Sequence, residues 1–280
     1  MTLRPLAALV LLAATPVFAV AADESAAPNL PGHQLAWHDE FDADGPPSPD
    51  NWTYERGFVR NEELQWYQPE NAFCEDGLLV IEGRRERVPN PRYEPGARDW
   101  RRNREFAEYT SACVISRGRR EWTHGKLLVR ARIDAQPGLW PAIWTLGTKR
   151  GWPGCGEIDV MEYYQDTILA NAFWQARRRK GEDVVKVPLE KFGDGWAEKF
   201  HVWQLDWTPE RLQILIDDKL VNEVSLADAV NGDGTQPFQE PHYLLLNLAI
   251  GGQAGGDPSQ VEFPSRFEID YVRVYQRTDE

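Results

Sequence analysis

Cysteine, methionine and histidine are all scarce in this chain of 280 residues, at 3, 2 and 5 copies. An odd number of cysteines, Cys74, Cys113 and Cys155, excludes a fully paired disulfide framework and leaves room for one bridge at most. Buried thiols are the expectation, since a free cysteine packs as a small apolar residue. No group of Cys and His has the spacing of a zinc site. Positive charge is in the minority: 31 Lys and Arg stand against 44 Asp and Glu, a net charge of -13. That balance argues against nucleic acid or an anionic membrane as partner, and makes a heavily sulfated polymer a poor fit. Long hydrophobic runs are also missing. Only residues 6–20 form one, shorter than the ~20 apolar residues that a membrane crossing needs, so no membrane insertion is expected. Internal repeats and low-complexity tracts are absent.

The one apolar run follows Arg4 and ends at Ala19-Val20-Ala21. A positive start, an apolar stretch and a small-residue cleavage site make residues 1–21 a secretory signal peptide, and the product secreted or periplasmic. No Cys follows the cleavage site, so a lipid anchor is not indicated. Its removal takes one Arg and no acid, leaving 30 basic against 44 acidic residues, about −14. Residues 22–31 read as a short leader and residues 32–280 as a single domain, a size that one large β core can fill. A monomer is expected.

The texture of that domain is strand and turn. Leu127, Val129, Ala131 and Ile133 alternate with polar neighbours, as do Trp203, Leu205 and Trp207. Leu212, Ile214 and Ile216 precede Asp217-Asp218-Lys219, a hairpin turn into residues 220–224. Residues 244–250 are almost wholly apolar and read as a strand buried on both faces; residues 267–275 form another. Helical periodicity is sparse, with one short turn allowed at 226–230. Many short strands with regular turns specify an all-β fold, a sandwich or jelly roll. Residues 84–120 depart from this pattern: arginines, Pro89, Pro91, Pro95 and Gly96 favour a loop insertion beside a cleft. A second basic run, residues 177–180, is placed at the same cleft.

The densest chemistry lies in Gly156-Glu157-Ile158-Asp159-Val160-Met161-Glu162-Tyr163, with three carboxylates in six residues. The alternation reads as a strand, which sends Glu157 and Asp159 to one face, roughly 7 Å apart. Strict alternation gives Met161 the next place on that face. A one-residue bulge shifts the parity and brings Glu162 there instead, and bulges are frequent beside active sites. Two carboxyls held ~5–5.5 Å apart form the nucleophile and acid/base pair of a retaining glycosidic cleavage. Upstream, Trp140-Pro141-Ala142-Ile143-Trp144 and then Trp152 supply aromatic faces on which sugar rings stack.

Together these segments resemble glycoside hydrolase family 16, its laminarinase-like β-glucanases in particular. The resemblance runs from Trp37-His38-Asp39-Glu40-Phe41 through W-P-A-I-W and G-E-I-D-V-M-E-Y to Asp270-Tyr271-Val272-Arg273-Val274-Tyr275-Gln276. It implies a jelly-roll β-sandwich of two antiparallel sheets, concanavalin A-like, with a concave substrate cleft. It also implies an endo-β-glycosidase with Glu157 as nucleophile, Glu162 as acid/base and Asp159 orienting Glu157. The implied substrate is a polysaccharide, a laminarin-type β-1,3-glucan first. A β-galactan, a mixed-linkage glucan, a transglycosylase and a non-catalytic lectin-like sandwich are the alternatives, and the three acids argue against the lectin. For substrate contact the resemblance implies Trp144 ahead of Trp140, Asn61 in Asn61-Glu62-Glu63-Leu64-Gln65, Arg84 and Trp122. Asn171 or Trp174 takes the place of a His found in many relatives. No cofactor is expected for catalysis; a structural Ca²⁺ is expected at Glu40 and Asp270, whose oxygen ligands suit that ion.

Overall fold

The computed structural model describes residues 27–177 and 179–278. The signal peptide expected at residues 1–21 and residues 22–26 of the expected leader lie outside them. Two eight-stranded sheets dominate, and among the described residues their strand pairings are antiparallel. The first runs Lys219–Ser225, Arg211–Ile216, His201–Trp207, Gly125–Arg132, Ser265–Arg277, Leu78–Gly83 and Ala72–Glu75, with His33–Asp39 also on Ser265–Arg277. The second runs Lys180–Pro188, Thr167–Gln175, Glu157–Tyr164, Leu139–Gly147, His242–Ile250, Cys113–Ile115 and Thr53–Tyr54, with Glu121–Trp122 also on His242–Ile250.

The alternation read from the sequence explains the layering. Leu127, Val129, Ala131, Trp203, Leu205, Trp207, Leu212 and Ile214 from the first sheet meet Ile143, Ile158, Ile168, Leu244 and Leu246 from the second in one continuous core. Burial of this apolar surface at roughly 25 cal/mol per Å² is the main stabilising term. All nine residues of His242–Ile250 are buried, as their composition requires of a central strand. The Asp217-Asp218 hairpin closes with both residues at positive φ, 48° and 62°, a conformation that Asp tolerates better than most side chains. The three cysteines are free and buried.

Residues 226–227 form a short turn where one was allowed, and among the described residues one α-helical turn lies at Gly252–Gly255. One local expectation fails. The segment 84–120 is not all insertion: Tyr109–Ser111 and Cys113–Ile115 are strands, and Ala112, Cys113 and Val114 have no exposed surface. The arginine count there masked a short apolar stretch that enters the core.

Candidate active site

The Glu157–Tyr164 strand carries the bulge that the chemistry demands. Against Leu139–Gly147 the register steps from Ile143 opposite Met161 to Trp144 opposite Asp159. Against Thr167–Gln175 it slips between Asp159 and Glu162. Ile158, Val160, Met161 and Tyr163 therefore all join the core, while Glu157, Asp159, Glu162 and Tyr164 all line a cleft of about 710 Å³ on the opposite face. A regular strand cannot do both.

The carboxyls are held by a small set of donors. Trp140 donates its indole N–H to Glu162 Oε1 at 2.8 Å. The Asn171 amide donates to Asp159 Oδ2 at 2.9 Å and to Glu162 Oε2 at 3.1 Å, tying the two acids together. Trp152 and Asp159 stand beside Glu157 and favour its charged form. Burial is the leading cause of every shift here. It pushes the Glu157 carboxyl up to about 7, with the charge of Glu162 adding to the rise and Trp152, Arg60 and Asp159 opposing it. Asp159, with 2% of its surface exposed, rises well above the usual carboxylate range through burial and then the charges of Glu162 and Glu157. Glu162 also rises through burial, opposed by its bonds from Asp159, Trp140 and Asn171. Three carboxyls this close, two of them tied together by Asn171, do not all ionise at once, so the row retains a proton.

Of the expected binding residues, Asn61, Trp140, Trp144 and Asn171 line the cleft. Trp140, ranked behind Trp144, is the one that touches a catalytic carboxyl. Trp144 lies deeper, its N–H on Asn247 Oδ1 at 2.7 Å and the Arg60 guanidinium 4.9 Å above its ring. Three expectations are corrected. Arg84 sits past the end of Leu78–Gly83, paired with Glu82 at 2.7 Å and outside the cleft. Trp122 is a core residue, 7% exposed and tilted against Trp37. Trp174 turns to the core side, edge-on to Phe238 at 6.3 Å, because strand parity places Asn171 and Phe173 on the cleft face and Trp174 on the other. Trp122→Ala is expected to cost about 3–5 kcal/mol of stability in urea melts, and Trp174→Ala a smaller part of that range, both with KM unchanged. A raised KM at normal stability would return either residue to the cleft.

The calcium expectation also meets the geometry badly. Both Glu40 oxygens accept from Arg273, at 2.9 and 2.7 Å, and Asp270 pairs with Arg130. Among the described residues no three His, Cys, Asp or Glu side chains converge on a metal position. With each carboxylate already paired to a guanidinium, these two residues do not fit a cation.

Several cleft residues escaped the sequence reading. Arg60 and Glu63 flank Asn61; Tyr164 stands edge-on to Trp140 at 5.3 Å; Phe173 shares the cleft face with Asn171. Glu182, Val184 and Lys186 line it from the edge strand, following Lys180, the end of the basic run expected at the cleft, which stacks 4.2 Å over Phe173. Their period of two was legible in the sequence. Trp152, 58% exposed, closes the end beside Glu157.

The model of the family "Glycosyl hydrolases family 16" matches residues 90–273. The chain is 35% identical to a beta-glucanase of Rhodothermus marinus over 88% of its own length and 86% of that protein. It superposes at a TM-score of 0.75 and 32% identity on the catalytic domain of an endo-1,3-beta-glucanase (laminarinase) from Thermotoga petrophila, covering 88% of this chain and 99% of that one. A structure from work on endo-acting O-glycanases, which members of the human gut microbiota express to initiate mucin breakdown, superposes at a TM-score of 0.82 and 33% identity, covering 90% and 94%.

Proposed function

The chain belongs to glycosyl hydrolases family 16, a glycosyl hydrolase with a jelly-roll sandwich, and from that premise we propose that it cleaves internal β-1,3-glucosidic bonds of a laminarin-type polysaccharide with retention. The observation that carries this reading is the bulge that sends Glu157, Asp159 and Glu162 together into an open cleft walled by tryptophan. Glu157, ionised, attacks the anomeric carbon as the bond to the leaving oxygen breaks. Glu162 passes its proton to that oxygen, and Asp159 and Asn171 hold the acid in place. Glu162, now a carboxylate, then takes a proton from the water that attacks the glycosyl ester, releasing Glu157. A lectin has no use for a nucleophile with a matched acid, and burying three carboxyls costs stability that binding alone would not require.

We place the activity outside the cytoplasm, on the strength of Arg4, the apolar run and Ala19-Val20-Ala21. A β-galactosidic substrate is the second reading, favoured by 28% identity over 87% of this chain to a keratan-sulfate endo-1,4-beta-galactosidase of Sphingobacterium multivorum. Chromatography of digests of laminarin, lichenan, agarose, β-1,3-galactan, carrageenan and mucin O-glycans tests both. A ladder of laminari-oligosaccharides is expected. Products from a galactose-containing polymer with laminarin intact would replace the glucan by the second reading.

A further inference from the structure

The loop at residues 59–63 puts Arg60, Asn61 and Glu63 on the cleft, yet its backbone is unfavourable on its own. Asn61 and Glu62 are consecutive non-glycine residues at φ 54°, a left-handed conformation that side chains with a Cβ disfavour. Something outside the loop must impose it. The carbonyls show what does. Arg101 donates to Val59 O twice, at 3.0 and 2.7 Å. Arg104 reaches Glu63 O at 2.8 Å and Glu62 O at 3.1 Å, and Gln253 N reaches Asn61 O at 2.8 Å. Only Arg60 O is satisfied from within, by Glu63 N at 3.2 Å.

Both arginines come from the insertion at residues 85–105, about forty positions along the chain, and neither lines the cleft. The insertion is itself braced: Asn90 donates to Arg101 O at 2.9 Å and Arg104 O at 2.8 Å. Trp100 docks edge-on against Phe58 at 5.9 Å, and Arg104 lies 5.0 Å over the Phe58 ring. Both guanidinium groups address loop carbonyls, and Arg101 Nη1 also lies 3.5 Å from Asp99 Oδ1 within its own segment. A guanidinium spans two adjacent carbonyls in a way that an ammonium cannot.

We propose that Arg101 and Arg104 are positioning residues that hold residues 59–63 as one wall of the cleft, so that the arginine-rich insertion sets binding of the sugar chain by way of Arg60 and Asn61. The inference rests on the cleft being the saccharide site proposed above. Because the wall contacts ground and transition states alike, its loss falls on KM rather than kcat.

The test compares Arg104→Ala with Arg102→Ala, whose side chain pairs with Glu94 in solvent and does not touch the loop. Arg104→Ala is expected to raise KM for the polysaccharide about tenfold with kcat within about threefold, and to speed hydrogen exchange of amides 57–64. Arg102→Ala is expected to match the parent in both. Unchanged exchange in Arg104→Ala overturns the proposal, and so does faster exchange with an unchanged KM. A parent protein that leaves laminarin intact overturns the glucan reading instead. KM is then read on whichever glycan the product survey shows cleaved, and the exchange result stands independently.

Discussion

Replacing Glu157 by Gln is expected to leave a folded protein whose turnover on polysaccharide falls on the order of 10⁴-fold or more. An amide in place of the carboxylate cannot form the glycosyl ester, and its neighbours keep their hydrogen-bond geometry. The same change should stabilise the fold at neutral and alkaline pH. In the parent the Glu157 carboxyl sits at about 7, against an ordinary 4.5, so the folded state binds the proton more tightly than the unfolded chain. That contribution is fully present below the ordinary value and is lost as pH rises through about 7. The variant should therefore match the parent near pH 4 and exceed it at pH 8, by no more than roughly 3 kcal/mol. Chemical denaturation of both proteins across that range checks the sign. Stability lost at pH 8, or activity within tenfold of the parent, would contradict the assignment.

Glu162→Ala should separate acid from nucleophile. Cleavage of the glycan, whose leaving oxygen needs a proton, is expected to fall by roughly 10²–10⁴-fold, the usual worth of a general acid. Aryl glycosides with good leaving groups should retain formation of the glycosyl-enzyme, which then waits for a nucleophile that needs no base. Azide fills that role: its attack on the intermediate should speed turnover and give a β-glycosyl azide, identified by NMR. An α-configured azide would mean a single displacement with Glu157 in some other part. Loss of the Trp140 and Asn171 bonds to the carboxyl should leave the strand intact, since its bulge is fixed by main-chain pairing to both neighbours.

The carboxylate row was legible because a strand period of two and a demand for three acids on one face leave little choice but a bulge between Asp159 and Glu162. The core alternation at Leu127 to Ile133 and at Trp203 to Trp207 was legible for the same reason: parity is local. Parity also held the correction for Trp174. Asn171 and Trp174 differ by three and cannot share a face of a regular strand, whereas Phe173 can join Asn171. Trp122 was less accessible to such reasoning, since its strand has two residues and which face is buried depends on Trp37, far away in sequence. The same holds for Arg84 and Arg60. One ends beside Glu82 and the other over Trp144, and nothing in their immediate neighbours distinguishes them. Arginines 101 and 104 read as solvated charge by composition, and only the folded chain brings them to carbonyls 41 to 42 residues away.

The account stands most directly on Glu157 forming a covalent bond to the sugar. A 2-deoxy-2-fluoro glycoside of the cleaved glycan, carrying a good leaving group, slows breakdown of the glycosyl ester more than its formation. After incubation and peptic digestion, mass spectrometry should find the fluoroglycosyl increment on the peptide containing Glu157, fragmenting at that residue. An increment on Glu162 or Asp159, or inactivation with no covalent sugar anywhere in the chain, would contradict it.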